Sequence, residues 1–405
     1  MLQKFKLWLS VAAAISSLSG GTALAQSLED LEARLLDHPS LNALTYDAEA
    51  WRERSTAATA LPDPVVSVGI NNFPIFDPSF SEFLPTNKAV GIRQDFPNRA
   101  GREARAGEAR MSAEQTDRIR SAQFATLRGE LIALLYEQER IETQRQLAAT
   151  QNEKYDELGG VVEAEIDAGR PVVYRLAEIE AERARVSSLL VDLDRQDAEL
   201  GARLIDFVGY VPATPAPSVD PQDWSGDAIA FHAVRVAEAG IRVADHSVDG
   251  AKAAWRPNWG AQLTYQQREA GSNFSGDDWV SGMVTFTVPL WADRSQAPRL
   301  RAAKADRASA EMRYQAAARR AAARFAAEAA AWRSYADNIA VLEQNIAAVE
   351  DEMAAQLTLY ESGAGDYSAI IDGEIAILKL RADIAAEHSN RASAIARMNA
   401  LLVTP

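Results

Sequence analysis

The chain states one order of segments twice. From Ala57 an alanine-rich helical stretch leaves through Leu61-Pro62-Asp63-Pro64 into a short alternating segment, a polar loop and a second alternating segment ending at Phe96-Pro97; a very long helical pattern follows. From Ala253-Ala254-Trp255-Arg256-Pro257-Asn258 the order returns, and its second alternating segment ends at Val288-Pro289. Pro62 and Pro257, Pro97 and Pro289, and Gly169 and Gly363 are each roughly 190 to 195 residues apart. Solenoid repeats recur every ~20 to 50 residues, so this is one duplicated unit and not an array.

The alternating segments have two faces. Val66, Val68 and Ile70 fall opposite Ser67, Gly69 and Asn71, and Val90, Ile92 and Gln94 opposite Gly91, Arg93 and Asp95. The second copy sets Trp259, Ala261, Leu263 and Tyr265 against Gly260, Gln262, Thr264 and Gln266, then Val280, Val284, Phe286 and Val288 against Ser281, Thr285 and Thr287. Each segment has the length of a tilted transmembrane strand, about 9 to 11 residues. Alternation alone equally fits a soluble hairpin with one buried face. If the strands do span a membrane, four cannot close a barrel, because an open edge leaves backbone groups unpaired in hydrocarbon; several chains must then share one barrel.

The helical parts follow a four-three step. Val172, Leu176, Ile179, Val186, Leu190, Leu193, Leu200, Leu204 and Phe207 make a heptad seam interrupted at Arg183 and Asp197. Phe124, Leu127, Leu131, Leu134 and Ile141 form a second stripe, and Trp332, Tyr335, Ile339, Leu342, Ile346, Val349, Met353 and Tyr360 a third. A helix over 98–166 would be on the order of 100 Å long at ~1.5 Å per residue. Between Arg301 and Ala340 alanine dominates, letting backbones approach closely, and Arg319, Arg320 and Arg324 suit a solvated face.

Lys4 and Lys6, the apolar run from Leu7 to Ile15, and Ala23-Leu24-Ala25 read as a cleavable export signal, with Gln26 first in the mature chain. No later stretch approaches the ~20 apolar residues of a membrane helix. The 405 residues contain no cysteine, which excludes disulfides, thiolate metal sites, a cysteine nucleophile and the acylated cysteine of a lipoprotein; the chain is expected not to be lipid-anchored. The formal charge of −15 becomes −17 without the two lysines of the leader, which speaks against a nucleic-acid partner.

The expected organisation is a signal peptide over 1–25 and a first repeat over 26–208, with strands near 65–73 and 88–96, a long helix near 98–166 and a returning helix near 171–208. A proline-rich linker over 209–226, unable to continue a helix, joins it to a second repeat over 227–405. There the strands fall near 259–267 and 279–288, the long helix near 292–361 and the returning helix near 366–403.

The duplicated order, with Val68-Gly69-Ile70-Asn71-Asn72-Phe73-Pro74, Gly91-Ile92-Arg93-Gln94-Asp95-Phe96-Pro97 and the turns at Asp167-Ala168-Gly169 and Glu361-Ser362-Gly363, resembles the TolC-like outer-membrane efflux proteins over nearly the whole mature chain. The first of these pieces looks most like the heavy-metal efflux branch. The resemblance implies a mainly helical fold with membrane β structure: homotrimers in which twelve strands make one barrel and twelve helices a periplasm-crossing tube, embedded in outer-membrane lipid of a Gram-negative cell. It implies a passive exit duct docked onto a periplasmic adaptor and an inner-membrane pump of the RND type, with no cofactor. The adaptor would grip the turns at Gly169-Arg170-Pro171 and Gly363-Ala364-Gly365.

Counted from Gly363, Asp372 stands where the family has one gate aspartate; the other position is Ala369, for which Asp366 would substitute, and Glu178 is the counterpart of Asp372 in the first copy. Three symmetry-related carboxylates in a narrow lumen repel one another and attract cations. A solvated acid at a helix N-terminus is the plainer reading of Asp366. The chain ends at Pro405 directly after the last helical pattern, so a smaller equatorial region than in relatives is expected.

Catalysis finds no support: His38, His232, His246 and His388 are scattered without metal spacing, and no nucleophile elbow or phosphate loop accompanies them. A periplasmic adaptor or coiled-coil scaffold is the rival reading, but it would be expected to carry one helical hairpin between soluble β domains, where this chain has two strand pairs and two helical hairpins in tandem.

Overall fold

The computed structural model describes residues 27–403. The expected signal peptide lies outside the described residues. Two short N-terminal helices, α1 (Leu28–Leu36) and α2 (Pro39–Thr59), lead into strands β1 (Val65–Asn71) and β2 (Asn87–Phe96), the long helix α3 (Arg99–Asp167) and the returning helix α4 (Val173–Val208). Past an extended connection and a single 3₁₀ turn come α5 (His232–Ala253), strands β3 (Trp259–Gln267) and β4 (Asp278–Phe286), long helix α6 (Gln296–Glu361) and returning helix α7 (Tyr367–Asn399).

The four strands form one antiparallel sheet in the order β1-β2-β3-β4. Its central pairing joins segments far apart in sequence, with Val90 opposite Tyr265 and Ile92 opposite Leu263. Below it, Asn98 caps α3 by accepting from the Gly101 N–H at 2.7 Å and donates its own backbone N–H to Asn258 Oδ1, also at 2.7 Å. The Asn258 N–H in turn donates to Thr287 Oγ1 at 2.8 Å. Both strand-to-helix passages are thus tied into one joint.

Side by side, the long helices run α4, α3, α7, α6, with α2 and α5 against the upper part of α3. At 69 and 66 residues, α3 and α6 each reach on the order of 100 Å. The four-three seam explains the packing. Leu127, Leu131, Leu134 and Ile141 of α3 are buried against Leu193, Leu200 and Leu204 of α4, with Leu31 and Leu35 of α1. A second core nearer the turns joins Tyr155, Leu158 and Val162 of α3 to Ile179 and Val186 of α4 and to Ile371 and Ile375 of α7. Of the third stripe, Ile339 is buried, the others down to Met353 are half-buried, with Val349 and Met353 beside Gly373 of α7, and Tyr360 is exposed. Helix α6 lies at one end of the helical row and α4 at the other, so each keeps a flank that no described element covers.

The proline-rich connection straps the helices together. Tyr136 donates its hydroxyl to the Pro217 carbonyl, Gln138 Nε2 donates to the Pro212 carbonyl, and Asn399 both accepts from the Gln222 N–H and donates to the Asp220 carbonyl. Helix α6 begins at Gln296, four residues later than its helical pattern suggests, because residues 290–295 form turns.

Candidate functional site

Directly opposed residues of an antiparallel pair share a face. The register therefore gathers Val66, Val68 and Ile70 with Val90, Ile92 and Phe96, then Trp259, Leu263 and Tyr265, then Val280, Val284 and Phe286, onto one side of the sheet. The other side holds Ser67, Asn71, Asn87, Gly91, Arg93, Asp95, Gln262, Thr264, Gln266, Ser281 and Thr285. Nothing covers the apolar side: Val68 is 80% exposed, and Ile92, Leu263 and Val284 are all exposed. An uncovered apolar face of this extent is unsustainable in water. Aromatic residues mark its ends, with Phe96 stacked on Trp259 at 4.0 Å near the helices and Tyr265 at the loop end. Six residue steps at ~3.3 Å, ~20 Å along the strand, separate these levels, of the order of the ~25 Å apolar band of an outer-membrane barrel. No described helix is long and apolar enough to cross a membrane.

At the far end, the two glycine turns are built alike. Gly169 (φ 84°) and Gly363 (φ 76°) occupy the left-handed position that ends α3 and α6. In each, the glycine N–H and the next N–H reach back, Gly169 to Ile166 and Arg170 to Glu165, Gly363 to Tyr360 and Ala364 to Leu359, the double bond of a Schellman cap. Pro171 follows the first turn and prevents the helix from continuing. Gly365 lies so close to the end of α6 that a Cβ there would come within 2.5 Å of the Tyr360 backbone nitrogen.

Arginines of the first hairpin reach acids of the second. Arg170 Nη1 lies 3.1 Å from Glu165 Oε1 and 4.0 Å from Asp366 Oδ2. Arg175 Nη2 stands 2.6 Å from Asp372 Oδ2, and its other nitrogen donates to the Ser368 hydroxyl. Higher up, Lys154 of α3 pairs with Glu374 at 2.7 Å and Glu157 at 3.0 Å, and these two carboxylates, Glu374 foremost, raise its pKa. Lys379 of α7 meets Glu182 of α4 at 3.3 Å.

Asp366 caps α7, accepting from the Ser368 N–H at 3.0 Å. Burial pushes its carboxyl up, yet the bonds from Ser368 and Glu165 and the charge of Arg175 hold it below the usual aspartate value. Glu165 moves the other way. Burial, then the hydrogen bond and negative charge of Asp366, raise its pKa. Its Oε2 is buried and has no hydrogen-bond partner among the described residues.

The structure therefore brings Asp372 and Glu178 to one groove of ~490 Å³ between α4 and α7, walled also by Arg175, Glu182 and Lys379, and sets Asp366 beside Glu165 at the turn itself. The sequence reading singled out the acids and missed their partners Arg175, Glu165 and Ser368. The available signal was two arginines within six residues of Gly169 in a chain with excess acid. Among the described residues no cluster of His, Cys, Asp and Glu suits a metal ion.

Residues 231–403 match the outer membrane efflux protein family. The matched segment is the second of the two repeats, 173 of the 405 residues. Solved structures share the fold over nearly full length: CusC (16% identity, TM-score 0.76, covering 93% of this chain and 92% of that one), VceC of Vibrio cholerae (16%, 0.73, 92% and 95%) and the Campylobacter jejuni CmeC outer membrane channel (10%, 0.72, 97% and 93%). No curated protein matches the chain by sequence.

Proposed function

We propose that three copies of this efflux protein assemble into a single exit duct, passively conducting substrates from an inner-membrane RND pump and its periplasmic adaptor across periplasm and outer membrane. One observation carries the reading: the sheet is bare on its apolar side and unpaired at both outer strands, β1 and β4, among the described residues. Such edges in hydrocarbon cost several kcal/mol per unpaired group, and threefold closure removes them all. The free flanks of α4 and α6 meet in the same operation, which makes the helical row a tube. The polar strand side then faces the lumen.

In this arrangement the glycine turns are the periplasmic tips that the adaptor grips, at Gly169, Arg170, Pro171, Gly363, Ala364 and Gly365. Asp366, Asp372 and Glu178, restrained by Arg170 and Arg175, form the constriction. The pump selects the cargo, heavy-metal cations or other small molecules, since an open polar lumen does not discriminate as a binding pocket does.

Paired substitutions in one strand test it. Leu263→Arg places a cation in the lipid and should cost about 2–4 kcal/mol, abolishing outer-membrane assembly, whereas the adjacent Thr264→Arg, on the lumen side, should assemble normally. Equal tolerance of both, with the protein soluble without detergent, would favour a periplasmic scaffold instead.

A further inference from the structure

Where the sheet meets the helices, the two passages differ. After Pro97 the chain enters α3 at once through the Asn98 cap, but after Pro289 it makes turns over residues 290–295 before α6. Those turns present Leu290 and Trp291, 73% and 70% exposed, in line with Phe286 and Val288 of the bare apolar side. A large aromatic and a leucine held out at the end of an uncovered apolar face have the character of an interfacial anchor.

The second feature at this level is charge. Arg256, Arg294, Arg299, Arg301 and Lys304 are exposed, and none of their side chains has a hydrogen-bond or ion-pair partner among the described residues. Arginines elsewhere are matched by acids, as Arg145 is by Asp194 and Asp197 and Arg195 by Asp192 and Glu199, or stand unpaired on a bare helix face, as Arg319, Arg320 and Arg324 do; what sets this group apart is its place beside the apolar turns. Nor do Arg299 and Arg301 serve the helix, since cations near an N-terminus oppose its dipole and no acid occupies the first turn of α6. Asp293, on the same turns, pairs with none of them among the described residues, and Glu103 and Asp249, which line a groove with Arg256, are taken by Arg99 and Lys252.

We infer that the Leu290-Trp291 turns and the unpaired cations around them bind anionic phospholipid headgroups of the inner leaflet of the outer membrane. The inference rests on the sheet being membrane-embedded: that reading places the passage at the headgroup level, Trp291 at the acyl boundary, and the cations within reach of lipid phosphates. Continuity with the apolar side supplies the position and charge complementarity the selectivity. An anionic lipid would fix the depth of each subunit in the leaflet.

The test uses the full-length protein in neutral detergent, titrated with dioctanoyl phosphatidylglycerol and, separately, with dioctanoyl phosphatidylcholine and inorganic phosphate. Tryptophan emission is followed, and Trp291→Phe identifies the part that comes from the turn. Phosphatidylglycerol should saturate the signal, while the other two should not. The triple variant Arg256→Gln/Arg294→Gln/Arg299→Gln should raise the half-saturating concentration on the order of a hundredfold, about fivefold per cation. A control triple further down α6, Arg319→Gln/Arg320→Gln/Arg324→Gln, should titrate like wild type. Equal response to both lipids, saturation by phosphate alone, or an unshifted Arg256/Arg294/Arg299 variant would overturn the inference. A protein that needs no detergent would instead refute the membrane reading beneath it.

Discussion

Arg175 Nη2 lies 2.6 Å from Asp372 Oδ2, so an arginine two residues into α4 latches the start of α7 across the end of α3. Arg175 also donates to Ser368. One side chain thus restrains two positions on the helix that the gate reading requires to move, while Arg170 holds Asp366 at longer range.

The latch should be measurable as conductance. Its carboxylate is half exposed and screened by solvent, so the pair is worth about 1 kcal/mol or less. Asp372→Ala, and equally Arg175→Ala, should raise resting conductance of the purified protein in planar bilayers by up to about fivefold, the factor that follows from this energy. Raising the salt concentration should mimic the change in wild type and do little to the variants. Unchanged conductance in both variants would remove the pair from the gate.

If the glycine turns form the tip, the Glu165 and Asp366 carboxyls give it a pH window. Glu165 has a raised pKa in the folded state, so its contribution is full below the ordinary glutamate value of ~4.3 and is lost as pH rises through the raised one. Asp366 has a lowered pKa, so its contribution is present above the ordinary aspartate value of ~3.9 and is lost as pH falls through the lowered one. The tip should be tightest in mild acid and loosen toward alkaline pH. Glu165→Gln, which keeps a donor for Asp366 at every pH, should flatten the alkaline rise in conductance; an unaltered profile would assign it elsewhere.

Glycine at the turns is a backbone requirement. Gly363→Pro cannot adopt φ 76°, and Gly365→Ala would drive a Cβ into the Tyr360 backbone. Both should disable efflux in cells while leaving the assembly intact on gels, because the damage is confined to the tip. Normal efflux with either variant would show that the second turn does not engage the adaptor.

The strand faces were legible in the sequence because a period of two leaves no freedom: Val66, Ile92, Leu263 and Val284 fall together once the register is set. The α4 seam was legible for the same reason, from Ile179 to Leu204. The pairing of β2 with β3 was not, since it joins Val90 to Tyr265 across an entire helical hairpin. Nor were the latch and the carboxyl pair, because Arg175 meets Asp372, and Glu165 meets Asp366, only after two hairpins distant in sequence lie side by side. The stripe from Trp332 to Tyr360 was read as packed, and down to Met353 it is buried or half-buried on the side of α6 that meets α7, with Tyr360 alone exposed at the tip.

The most direct measurement joins β1 of one subunit to β4 of another. These strands sit at opposite edges of the sheet, three spacings or ~14 Å apart, too far for a disulfide within one chain. The sequence contains no cysteine, so pairs such as Val66→Cys with Val284→Cys, and their neighbours two residues along, report without background. In isolated outer membranes oxidation should yield covalent dimers and trimers for at least one register. A chain that stays a single-subunit band at every register, in a protein recovered without detergent, would contradict the shared barrel.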